Sequence, residues 1–264
     1  MNIIKRELRA NLKSIVIWSL AIAFLVFVWM IEFDSFANNP AMADFMDSLP
    51  KGVLDALGMS DLVLTSLSGF ISGISLYLYL LLGIQAVLLG SSIISKEERD
   101  KTAEYLFTLP ISREKIIKNK IISAIINLII LNFITLATTL LSSMNYNKDE
   151  DFYKFVTLLF IAIFIIQMIF LSIGMLVSSI NKRHKKSGNI SVSILIITFF
   201  ISSLISMVDS LEFLKYITPF KYFDGSYILE QGSLQLVFLV ISIIIIICGI
   251  GGTFIFYPKR DLYI

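Results

Sequence analysis

Lys96–Lys120 reads KEERDKTAEYLFTLPISREKIIKNK. It carries seven of the chain's 22 Lys/Arg and five of its 20 Asp/Glu, and uncharged apolar runs flank it on both sides. The run before it, Leu62–Ser95, is 34 residues long. A hydrocarbon core of about 30 Å needs about 20 helical residues, so the run is either an interfacial lead-in and one span, or a tight hairpin of two short helices. The hairpin would put the seven basic residues on the outer side, against the Lys/Arg excess of cytoplasmic connections. One span near residues 73–94, with a lead-in over 62–72, is therefore expected, and the direction of every other span follows from it.

Composition agrees. The chain of 264 residues is 56% hydrophobic and only 16% charged, with a mean hydropathy of +0.83. A soluble domain has about 25% charge. The excess falls in runs of spanning length, which predicts an all-α integral membrane protein of one domain over 1–264, without internal repeats. Six spans are expected, at about 14–31, 73–94, 121–144, 155–180, 190–208 and 234–257. Residues 1–13, with Met1, Ile4, Leu8 and Leu12 on one stripe and Lys5, Arg9 and Lys13 beside it, read as an interfacial elbow helix. Trp18 and Trp29 are its span's interfacial anchors. Glu32–Asp61 reads as a short interfacial helix pair or as a lid, and 209–233 as an outer loop. The N-terminus, the loops after spans two and four and the tail together hold 17 of the 22 Lys/Arg. Both termini are thus expected in the cytoplasm, in a cell membrane.

The chemistry is mostly one of exclusion. No charge lies inside an expected span, whereas ion-coupled carriers usually place Asp, Glu or His there; backbone-lined sites at broken helices remain an alternative. The single histidine, His184, sits in the basic loop NKRHKKSG beside Lys182 and Arg183, as a solvated loop residue. There is no GxxxxGK[ST] phosphate loop and no HExxH, so the chain is expected to be no enzyme and to hold no metal or cofactor of its own. Cys248, the lone cysteine, reads as an apolar filler. Gly249, Gly251 and Gly252 read as close-packing residues, Gly69 and Gly73 as a GxxxG packing face, and Gln167 as interhelical glue. Work against a gradient would need energy from a partner. Thr102–Leu109 can make two helical turns, which would put Tyr105, Leu106 and Leu109 on one side; Pro110 would end them, and Ser112 can cap the next helix with Glu114 in its first turn.

These residues resemble the ABC-2 type transporter permeases, in their NosY-like branch. The resemblance rests on Glu97-Glu98, then Thr102, Leu106 and Leu109, then Pro110-Ile111-Ser112-Arg113 and a downstream Lys118 or Lys120, with Lys101 standing where the family has glycine. The elbow helix, six spans and the Arg260-Asp261 pair in the tail also fit. The resemblance implies a cytoplasmic coupling helix between spans two and three. Its ATPase-coupling surface would comprise Glu97, Glu98, Thr102, Tyr105, Leu106, Leu109, Pro110, Ser112 and Arg113, with a lesser contact from Lys182, Arg183 and His184. It implies two copies of an ABC ATPase subunit holding ATP and Mg, a second permease identical or homologous to this one, and export of an amphiphilic, peptide-like, antibiotic or lipid substrate. Lipids are partners and nucleic acid is not. The Ile-, Lys- and Asn-rich composition points to an AT-rich bacterial genome. The competing expectation is a membrane sensor or docking protein that does not transport.

Overall fold

The structure is a computed structural model, and it describes residues 3–38, 48–50, 52–54, 66–99, 112–181 and 184–259. Its first 39 residues contain neither glycine nor proline, so nothing local stops a helix once begun. The first helix, α1, accordingly runs Ile3–Asn38 without a break, about 54 Å long. Residues 3–13, read above as an elbow, are its opening turns. They do not lie apart from the span, because their Ile3 and Glu7 are buried against neighbouring helices while Lys5, Arg9 and Lys13 stay exposed. Trp18 and Trp29 pack against the core as partly buried rings.

The remaining helices are α2 (Leu67–Arg99), α3 (Arg113–Ser142), α4 (Phe152–Ile180), α5 (His184–Met207), the short α6 (Gly225–Gln231) and α7 (Leu236–Phe256). Among the described residues six helices are long and apolar enough to cross a membrane, matching the six expected spans. Most outrun the expected segments. Helical hydrogen bonding continues past the hydrocarbon into charged turns, which a hydropathy reading leaves out. The lead-in expected before residue 73 is in fact helix from Leu67 onward, with Gly69 and Gly73 both buried. Within Glu32–Asp61, residues 39–47, 51 and 55–61 lie outside the described residues; one short turn follows Pro50, with Val53 N donating to Pro50 O at 2.8 Å.

At the centre, α2 and α4 lie side by side. Lipid chains give no hydrophobic push between helices, so close packing must come from small residues. A Cβ on Gly90 would overlap the Leu171 carbonyl, and one on Gly174 the Val87 carbonyl. The backbones touch there, and Ser178 Oγ donates to Ser91 O at 2.9 Å. On the α7 side, Gly249 sits against Ser172 and Gly252 against Leu176, but Gly251 faces open space. Asn132 Nδ2 donates to Gln167 Oε1 at 3.3 Å, joining α3 to α4. Side chains on α1 and α7 such as Leu20, Phe24, Ile243 and Ile247 point outward.

The expected outer loop 209–233 does not stay outside. A 3₁₀ turn, Asp209–Tyr216, leads to Thr218, whose Oγ1 donates to Thr198 O at 2.8 Å. That carbonyl lies nine residues before Met207, the last residue of α5, or about 13 Å along the helix. Phe220 follows, its ring centroid 5.3 Å from Phe170 and 5.5 Å from Phe199. The chain then turns back. Asp224 Oδ1 accepts from Ser226 N at 2.9 Å to cap α6, and Gly225 is pressed on α2, where a Cβ would come within 2.7 Å of Ser72 Oγ. Gly232 ends α6 at φ 56°, a left-handed conformation suited to glycine. Pro219, Lys221, Asp224 and Gly225 have the composition of a surface loop, so the return into the bundle was hidden from composition.

Candidate functional site

The basic end of the bundle brings together the start of α1, the end of α2 and the start of α3. At steps of three or four residues, broken only by the half-buried Asn11, α1 turns a stripe inward: Ile3, Glu7, Ile15, Ser19, Ile22, Val26, Met30 and Phe33 are all buried. Glu7 is the single carboxylate on that stripe, and it is 0% exposed. Arg6 Nη2 lies 3.1 Å from Glu7 Oε1, and Lys96 Nζ, from the last turns of α2, lies 3.3 Å from Glu7 Oε2. Lys120, from the third turn of α3, is likewise 0% exposed. Its ammonium donates to Ile93 O on α2 and acts on the Glu7 carboxylate. Ser123 Oγ on α3 donates to Ile4 O at 3.4 Å.

Physical chemistry gives this arrangement a strict logic. A buried charge costs several kcal/mol unless a partner and hydrogen bonds satisfy it. Here one carboxylate is shared by cations from three helices. Both lysines also lie near the C-terminal end of α2, where the helix dipole favours positive charge. Lys96 and Lys120 bracket the connection between α2 and α3, so the residues on both sides of it are drawn toward the Glu7 carboxylate on α1, Lys96 by a direct ion pair and Lys120 by its charge.

Two more contacts fix the start of α3. Ser112 stands at its N-cap with φ −65° and ψ 147°, accepting from Lys115 N at 3.3 Å, and Glu114 is in the first turn. Arg113 Nη1 donates to Pro258 O at 2.7 Å, joining α3 to the turn that follows α7.

Of the residues singled out in the sequence, Glu97 and Glu98 belong to the last turn of α2; their side chains lie outside the described residues. Thr102, Tyr105, Leu106, Leu109 and Pro110 also lie outside them, as do Lys182 and Arg183, Lys101, Arg260 and Asp261. His184 opens α5. Of the two candidate downstream lysines, Lys118 is exposed and Lys120 is the buried one.

Glu7 was missed because the N-terminal stripe was sought in apolar residues. Its signal is phase: it lies one helical period from Ile3, on the face that continues as Ile15, Ser19 and Ile22.

The sequence pattern of the family described as ABC-2 family transporter protein matches residues 1–262. The chain belongs to the ABC-2 transporter family. No curated protein sequence matches it. The chain is therefore a multi-pass membrane permease of an ABC transporter, and membership implies association with an ABC ATPase. In this ABC-2 permease the charged node is built from the helices on either side of the α2–α3 connection.

Proposed function

We propose that the permease converts ATP hydrolysis by a separate nucleotide-binding subunit into export of an amphiphilic, peptide-like, antibiotic or lipid substrate. The ATPase docks on the connection between α2 and α3, through Glu97, Glu98, Thr102, Tyr105, Leu106, Leu109, Pro110, Ser112 and Arg113, with a lesser contact at Lys182, Arg183 and His184. The chain supplies no catalytic group; ATP and Mg are held by the partner. Two ATPase copies serve a pair of permeases, identical or homologous, in a bacterial plasma membrane with both termini in the cytoplasm.

The observation that carries this reading is the Glu7–Lys96–Lys120 node. A connection whose two ends are locked to a third helix passes a push on to all three together. A partner that closes on ATP then biases the bundle between two arrangements through its differential contacts with them. The Lys/Arg distribution supports the cytoplasmic side for that end.

The test is co-purification of the ATPase with Leu106→Ser/Leu109→Ser and Glu97→Ala/Glu98→Ala permeases in mild detergent, together with ATP hydrolysis in the assembled complex. The expected result is loss of bound ATPase from properly inserted protein. Unchanged binding and hydrolysis would overturn the docking assignment. Retained binding with hydrolysis insensitive to every candidate substrate would favour a sensor or docking protein instead.

A further inference from the structure

Within a membrane, non-helical backbone is tolerated only where protein wraps it or where it lines a wet cavity. Charged side chains at such depth face protein or water for the same reason. The segment that returns between α5 and α7 meets both conditions at once. Its Lys221 Nζ and Asp224 Oδ2 are 3.7 Å apart, and the two residues border a cavity of about 30 Å³ between α2, α5 and the returning turn. Ser72, Ser75 and Tyr79 of α2 and Ser202 and Ser206 of α5 line it too.

Ser72 is 3% exposed and Tyr79 is 1% exposed. The Ser75 hydroxyl lies beside Tyr79, but neither Tyr79 Oη nor Ser72 Oγ completes a hydrogen bond of normal geometry with a described residue. Buried hydroxyls are costly to leave unpaired. A cavity holds a water when it offers roughly 10–15 Å³ or more and two to four polar partners; this one offers both.

We propose that the cavity is a water-binding site, in which water bridges Tyr79 and Ser72 on α2 to the Lys221–Asp224 turn. The size admits a water and little more. A monovalent cation fits less well, because the single carboxylate is already paired with an ammonium. Hydroxyls donate as well as accept, which suits water. The returning turn is then joined to α2 through solvent as well as through the Gly225 contact, and the cleft beneath it is hydrated as far as Tyr79, about 9 Å into the expected hydrocarbon segment of α2.

Hydroxyl-radical labelling of the unmodified protein in lipid nanodiscs, read residue by residue by mass spectrometry, tests this. Radicals form on water, so a buried tyrosine is labelled only where water is bound. Tyr222 is the control: it is 2% exposed, donates to Tyr216 O at 2.6 Å and stacks on Phe238. Tyr79 is expected to label several-fold faster. Equal labelling of Tyr79 and Tyr222 overturns the proposal.

Discussion

Replacing Glu7 by Gln keeps the side chain's shape and takes away its charge, which isolates the electrostatics of the node. The Lys96 side chain is 19% exposed and can turn its ammonium toward water. Lys120 is 0% exposed and cannot. Removing one partner of a buried pair costs about 3–5 kcal/mol, because the remaining charge is stranded. The Ile93 carbonyl still accepts from Lys120, so the lower end, about 3 kcal/mol, is expected for Glu7→Gln. That is about a hundredfold in the folding equilibrium, at 1.4 kcal/mol per factor of ten. Lys120→Met leaves Glu7 with Arg6 and Lys96 and should cost less, about 1–3 kcal/mol. The double variant removes both charges together. If the two side chains are coupled as described, its loss falls short of the sum of the single losses by about 1 kcal/mol or more. Unfolding by SDS titration in mixed micelles, for the parent and the three variants, reads all four corners of this cycle. Single losses that add to within about 0.5 kcal/mol would refute the shared-carboxylate account.

Other outcomes follow from the packing. Gly174→Leu forces a side chain into the Val87 carbonyl and should cost about 1–3 kcal/mol in the same titration, or abolish insertion, whereas Gly251→Ala, facing open space, should change stability by less than about 0.5 kcal/mol. Ser112→Ala removes the α3 cap and should cost about 1 kcal/mol, largely restored by Ser112→Asp. A double-mutant cycle on Asn132 and Gln167 should give a coupling near about 0.6 kcal/mol, the usual size of an interhelical hydrogen bond in a membrane.

Much of the architecture is legible in the residues because hydropathy and Lys/Arg placement act on long stretches. The choice of one span rather than two in Leu62–Ser95 rested on the charge of the next connection, and α2 is a single helix there. The Ser112 cap was legible because capping is local. Gln167 was legible as glue, though its partner Asn132 was not. The misses are all questions of which face meets which. Glu7 is an ordinary charge in a basic N-terminus until the inner face of α1 is known. Gly90 and Gly174 are far apart in sequence and meet only through the pairing of α2 with α4, so a search for GxxxG within one helix found Gly69 and Gly73 instead. The return of Thr218–Asp224 into the bundle depends on the Phe220 ring finding Phe170 and Phe199, a tertiary contact that overrides a loop-like composition.

The unbroken course of α1 has a geometric consequence. One end is clasped at Glu7. At the other, Tyr146 Oη donates to Met30 O at 2.9 Å, Phe33 packs 5.2 Å from Phe70, and Asp34 borders a cavity of about 730 Å³. Glu7 and Phe33 are separated by about 39 Å of continuous helix. A stiff rod of that length magnifies rotation: a tilt of about 10° pivoting on Glu7 carries Phe33 sideways by about 7 Å, set by the helical rise alone. A displacement of that size exceeds the ring spacings that seat Phe33, so a tilt of about 10° at the basic end is enough to unseat the aromatic cluster at the other end of the helix.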